Sequence, residues 1–265
     1  MKRIIYILIG VAMTLASCSE IDENERLQNV DKPENKDSEV AKKVLIEDFT
    51  GQFCVNCPKA VDEIERIQKD YGADTIIAVG IHSGKLGFKG NDKYVGLATD
   101  IGDQYYNHWK IEFQPAGLIN RQGGIFKHHD WAMAVHNAIS QKAHLSIKLE
   151  NNYNEVDRTV NVTVKTKGIG NSINGKLQLW VIEDNIIAIQ KMPNGTNNLK
   201  YVHNHVFRTT VNGIWGDDFT IQRDEEKTAS YTFKLDDKWV PENVSIVAFV
   251  YNGGGVQQVE KKSVK

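Results

Sequence analysis

The chain has little cysteine, little proline and almost no net charge. Its 265 residues include 3 cysteines and 5 prolines. So few cysteines exclude the disulfide-stapled scaffolds of small secreted proteins. The low proline count, with 41% hydrophobic and 25% charged residues, excludes a disordered or collagen-like chain. Charge of one sign is missing as well. The balance of 32 Lys+Arg against 34 Asp+Glu gives a formal charge of -2, with no basic excess to neutralise a phosphate backbone, so no nucleic-acid partner is expected. Long apolar runs are also lacking. The run from Ile4 to Ala16 covers 13 residues, short of the roughly 20 a membrane-spanning helix needs.

That run has a use of its own. Lys2 and Arg3 precede it and Leu15-Ala16-Ser17-Cys18 follows it, the order of an export signal. The four-residue stretch resembles the bacterial lipoprotein processing box, which implies cleavage after residue 17 and acylation (palmitate among the chains) of Cys18. An ordinary signal peptide with an incidental cysteine is the alternative. The lipid would tie the protein to a membrane without crossing it. Residues 18–40 are nearly all polar, with 8 Asp/Glu from position 19 on, and read as a flexible tether. Glu20, Asp22 and Glu23 resemble the acidic surface-export signal of lipoproteins from Bacteroides-like bacteria.

Residues 41–142 carry an α/β pattern. Val44 to Phe49 reads as a buried strand, Pro58 to Tyr71 as an amphipathic helix ended by Gly72, and Thr75 to Ile81 as a central parallel strand. Cys54-Val55-Asn56-Cys57-Pro58 occupies the strand-to-helix corner. Two intervening residues let one helical turn bring both sulfurs into bonding range, and the helix N-terminus stabilises a thiolate there. Such a pair serves redox chemistry, a structural disulfide or half of a zinc site. Zinc lacks a second ligand pair: His128 and His129, and His203 and His205, have no companion motif. No metal or cofactor is expected. Asp130 to Lys142 reads as a closing helix with an apolar stripe.

This stretch resembles the thioredoxin fold. The resemblance implies that Cys54 is the attacking thiol and Cys57 the resolving one. It implies that Asp48, six residues before Cys54 and followed by Phe49, is the buried proton acceptor. Pro115, in Gln114-Pro115-Ala116-Gly117, would be the cis-proline facing the disulfide. Phe53 stands where the family has tryptophan, and Val55-Asn56 where it has Gly-Pro. Ser83 to Lys110 would be an insertion, partly helical.

Residues 143–265 change to a period of two. Leu145 to Leu149, Val160 to Val164 and Leu177 to Val181 alternate, and further strands are expected at 206–211, 219–222, 229–235, 244–251 and 256–260. The expectation is an immunoglobulin-like β-sandwich. His203, His205 and Arg208, with Trp215 in a glycine-flanked turn, either line a recognition surface or belong to packing, with Val206 and Phe207 in the core and Arg208 paired to an acid.

The whole chain is similar to the Omp28-type outer-membrane lipoproteins of Bacteroides and its relatives. The resemblance rests on the lipobox cysteine, Phe49-Thr50-Gly51 near the cysteine pair, Pro115 to Arg121, Asn204 to Arg208, and Asn212-Gly213 with Trp215-Gly216. It implies an outer-membrane, lipid-anchored location and leaves two functions open. One is a thiol–disulfide oxidoreductase acting on the thiols or disulfides of exported proteins. The other is a non-enzymatic binding lipoprotein, with a structural disulfide and a sandwich that docks a surface protein or glycan. The redox reading requires Cys54 to be reachable.

Overall fold

The computed structural model describes residues 40–265. The signal segment, Cys18 and the acidic residues after it lie outside the described residues.

The α/β half follows the thioredoxin order. Strand β1 (Val44–Thr50) leads to helix α1 (Cys57–Tyr71) and strand β2 (Ile76–His82). A short helix, α2 (Asp100–His108), fills the expected insertion. Strands β3 (Ala116–Ile119) and β4 (Gln122–Lys127) and helix α3 (Trp131–Ile139) complete it. β1 runs parallel to β2 and antiparallel to β3. Every residue of β1 and β2 is buried, which explains their continuous apolar runs. Even-numbered Val44, Ile46, Ile76 and Ala78 pack against α1 and α3, whereas odd-numbered Leu45, Phe49, Ile77 and Val79 pack on the opposite face against Tyr105 of α2.

The second half is β-rich: β5 (Leu145–Asn154), β6 (Thr159–Gly168), β7 (Ile173–Glu183), β8 (Ile186–Lys191), β9 (Asn197–His203), β10 (Val206–Thr210), β11 (Asp217–Ile221), β12 (Glu226–Lys234), β13 (Val244–Asn252) and β14 (Gly255–Ser263). β12, β6 and β5 form a three-stranded sheet whose apolar face meets β7, β11 and β13 in one core. The change of period near residue 143 coincides with the start of β5, yet the main sheet continues across it. Nine strands join in the order β14-β13-β7-β10-β2-β1-β3-β4, with β11 also on β7. β10 bridges to β2 through Val206 and Gly80 and to β7 on its other side.

A buried ion pair within the α/β half lies against side chains of the β-rich half. Asn120 and Arg121 both have positive φ in the β3–β4 turn. This turn aims Arg121 back at Glu47, with Nε and Nη2 donating to the carboxylate at 2.6 and 3.1 Å. The guanidinium lies 4.4 to 5.6 Å from the rings of Tyr251, Phe249, Trp109 and Trp180. Asn120 also accepts from Val256 N through its carbonyl. A Cβ on Gly255, at φ 96°, would sit 2.4 Å from that oxygen, so the close approach needs glycine. Strands β8 and β9 pair only with each other, as a hairpin. Among the described residues no helix is long and apolar enough to cross a membrane.

Candidate functional site

The site forms where β1 and β2 end. After Thr50 the chain turns through Gly51 to Phe53 into Cys54, whose N–H donates to the Gly51 carbonyl at 3.0 Å. Cys57 opens α1 and Pro58 follows in the first turn, where a missing N–H costs nothing. Cys54 and Cys57 form a disulfide with Cα atoms 5.4 Å apart. The Gln114–Pro115 peptide is cis and Pro115 immediately precedes β3. Because Ala116 pairs with Phe49, this loop lies beside the end of β1. Gln114 Nε2 ties it there by donating to the carbonyls of Thr50 (2.6 Å) and Ser83 (3.0 Å).

Behind Cys57 is a cavity of about 30 Å³, bounded by Asp48, Thr50, Gly80 and His82 from the sheet, Pro58, Val61 and Ile64 from α1, and Gln190 and residues 201–205 from the hairpin side. Asp48 and His82 share the α1 face because the strand pleat alternates and Asp48 pairs with Gly80. Asp48 is 2% exposed and its Oδ1 has no hydrogen-bond partner. Burial pushes its pKa up to about 8, since a carboxylate loses hydration there and gains nothing. Burial lowers His203 to about 4, against backbone hydrogen bonds to Ile189 and Ala188. His82 is held well below its ordinary value by burial, then by His203 and Arg208. The two imidazole rings meet edge to face at 5.2 Å.

The β8–β9 hairpin rests on the loop that carries the cysteines. Lys191 N donates to the Gln52 carbonyl at 2.8 Å. Gln52 Nε2 donates to Ile189 O at 3.1 Å, and Gln190 Nε2 donates to Cys54 O at 3.0 Å. Both cysteines are 2% exposed. The attacking sulfur of the redox reading is therefore covered in this disulfide state, contrary to the reach that reading requires.

The four residues read as either a recognition surface or packing are placed apart. His203 is 5% exposed and lines the cavity behind Cys57. His205 borders that cavity and pairs with Asp184 at 3.2 Å. Arg208 faces away, 3.3 Å from Glu183 and over the Trp239 ring, while Val206 and Phe207 are core. Trp215 is half-buried in a different place, tilted against His108 at 4.3 Å and edge to face with Tyr105 at 5.2 Å. Sequence reasoning placed no role on His82 or Gln190. His82 follows an apolar strand at the position where the pleat points it to the Asp48 side, a signal that could have found it. Gln190 carries no such mark.

The family described as Outer membrane protein Omp28 matches residues 102–265. The matched segment holds Pro115, Arg121 and the hairpin, and begins after the two cysteines. The chain is similar to HBP35 of Porphyromonas gingivalis, with 19% identity, a TM-score of 0.64, and coverage of 84% of this chain and 76% of that one. That likeness shows a shared fold. A domain of the outer membrane lipoprotein Omp28 from Porphyromonas gingivalis is 28% identical over 47% of this chain and 91% of its own, with a TM-score of 0.35. No curated protein matches the chain.

Proposed function

The chain belongs to the Omp28 family of outer-membrane proteins, and from that premise we propose that it is an outer-membrane thiol–disulfide exchange protein acting through Cys54 and Cys57. It is held at the membrane by acyl chains on Cys18. The β-rich half, read as an immunoglobulin-like sandwich, builds one wall of the site.

One observation carries this reading: Asp48, buried and unpartnered, lines the same cavity as Cys57. A structural bridge has no use for such an acid, which opposes folding at neutral pH. An exchange reaction does. In the reductive direction the Cys54 thiolate attacks a substrate disulfide. The substrate S–S bond breaks, one substrate sulfur leaves and takes a proton from solvent, and a mixed disulfide forms beside the Pro115 loop. Asp48 as carboxylate takes the Cys57 proton. The Cys57 thiolate then attacks Cys54 Sγ, expels the second substrate sulfur and forms the Cys54–Cys57 bond. In the oxidative direction a substrate thiolate attacks Cys54 Sγ, and Cys57 leaves as a thiolate that takes the proton of neutral Asp48.

The burial of both sulfurs favours a second reading, in which the bridge is structural and the β-rich half docks a protein or glycan. The reduction potential and Cys54 pKa separate the two, measured on protein carrying Cys18→Ser with Cys54→Ser and Cys57→Ser as controls. Exchange predicts a potential well above about -300 mV and a Cys54 pKa below about 8.5. A potential below about -300 mV with an ordinary thiol pKa establishes the structural bridge.

A further inference from the structure

The redox chemistry described above uses Asp48 alone, yet on residues that line the cavity Asp48 Oδ1, His82 Nδ1 and His203 Nε2 are buried without a hydrogen-bond partner, and His205 Nδ1 has only its 3.2 Å contact with Asp184. Buried polar atoms are nearly always satisfied by protein or by ordered water. A cavity of about 30 Å³ has room for one or two waters, and a water needs two to four polar partners. No three His, Cys, Asp or Glu side chains among the described residues converge closely enough to hold a metal ion. We propose that His82 and His203 are positioning residues that hold water against Asp48, forming the path by which the proton exchanged with Cys57 reaches solvent. This rests on the exchange function proposed for the cysteine pair.

The geometry gives each group a place in the path. Asp48 and His82 project from neighbouring strands to one face, and His203 comes from β9, its ring 5.2 Å from that of His82. Beyond His203 the half-buried Tyr201 ring, 4.8 Å away, stands at the rim. A neutral imidazole is a donor at one nitrogen and an acceptor at the other, so the unpartnered His82 Nδ1 and His203 Nε2 can hold and orient a water beside Asp48 without keeping a charge in an apolar surrounding. Burial holds both imidazoles neutral at physiological pH.

The charges near this path are few. Arg208 of β10, turned toward Glu183, acts on His82 from a distance, and His205, paired with Asp184, borders the cavity. From α1, Asp62 and Glu65 act on Tyr201. When a small thiolate attacks Cys54 Sγ, the S–S bond breaks and Cys57 leaves as a thiolate that takes the Asp48 proton. A second thiolate then releases the Cys54 thiolate and a small-molecule disulfide. Asp48 regains its proton from solvent through the water that the imidazoles hold. The sum is one protein disulfide and two thiols giving two protein thiols and one disulfide.

The test is the rate of reduction by dithiothreitol between pH 5 and 9, on the full chain with Cys18→Ser. His203→Gln and His82→Gln should each slow the reaction at neutral pH by about a hundredfold, the lower end for proton-transfer groups. The reduction potential at the same pH should stay unchanged, and imidazole in the buffer should restore the rate of His203→Ala. A purely structural role would move the potential and the melting temperature and would not respond to imidazole. Gly80→Ala guards against variants that fail to fold, because its added methyl meets nothing nearer than 3.7 Å while taking volume from the cavity. It should melt like the parent and react more slowly. Unchanged rates and pH profiles in the folded variants overturn the path while leaving exchange intact. A folded parent that does not react with dithiothreitol overturns the exchange function and the path with it.

Discussion

Glu47 and Asp48 are consecutive acids on β1, both buried, and the pleat sends them to opposite faces of one sheet. Glu47 meets Arg121 through two charge-assisted hydrogen bonds, inside a ring of four aromatic side chains. Asp48 meets two neutral histidines and leaves an oxygen unpartnered. The first acid is neutralised by a fixed cation, and its surroundings are those of a fastening. The second has no compensating charge and keeps its proton to about pH 8. A buried carboxyl that is satisfied holds a fold together. One that is not costs stability, and its retention beside a disulfide points to chemistry.

Neutralising each acid should break the comparison in opposite directions. The largest effect belongs to Glu47→Gln, which strands the Arg121 charge in the core. Chemical denaturation should show a loss of about 3–5 kcal/mol. Asp48→Asn should do the reverse. The unfolded carboxyl ionises near 3.8 and the folded one near 8, so between these values the unfolded state has lost a proton that the folded state keeps, and stability falls as pH rises. The variant lacks this penalty. It should gain over the parent by about 1 kcal/mol per pH unit across that window, and a denaturation series from pH 4 to 8 checks it.

His203→Gln sharpens the same contrast from the acid side. Unfolded, the imidazole binds a proton below 6.5. Folded, it resists until about 4, so the parent loses stability as pH falls from 6.5 to 4. The variant should show a flatter acid limb, by a similar slope over a narrower range. Between pH 4 and 6.5 the Asp48 and His203 slopes oppose each other, and from 6.5 to 8 the Asp48 penalty acts alone, so this cavity's contribution to stability should fall above pH 6.5. The smallest change is Gln190→Ala. It removes the amide that donates to the Cys54 carbonyl and should cost about 1–2 kcal/mol, read by denaturation.

Much of the α/β half was legible in the sequence. Continuous apolar runs marked β1 and β2, and the 3.6-residue stripe marked α1. Cys54, Cys57 and Asp48 stand at offsets the thioredoxin pattern names, Pro115 follows an insertion, and the structure brings their backbones together at one corner. The hairpin was not legible. Asn197 to His203 is exposed almost throughout, so no alternation betrays a strand. β4 was missed for a related reason: Gly123 and Gly124 sit in it at positive φ, and its burial is partial. The pairing of His203 with His82 joins positions far apart in the chain, and neither residue carries a local sign of it. Arg121 was noticed only as the end of a motif. Its cage assembles from β7, β13 and the end of α2, which no single stretch of sequence displays.

The unbroken nine-stranded sheet has a consequence for motion. A protein built of two modules can open by rotating one against the other about a linker, as ligand-clasping proteins do. Here such a rotation would tear the sheet where β10 of one half meets β2 of the other and would pull Val256 N from the Asn120 carbonyl, so the two halves move as one body. The hairpin is the exception, since its strands pair only with each other and a few side-chain and backbone bonds hold it down. Amide exchange should therefore be fastest, after the termini, in the segment that covers the disulfide, and slowest in the strands on either side of β1.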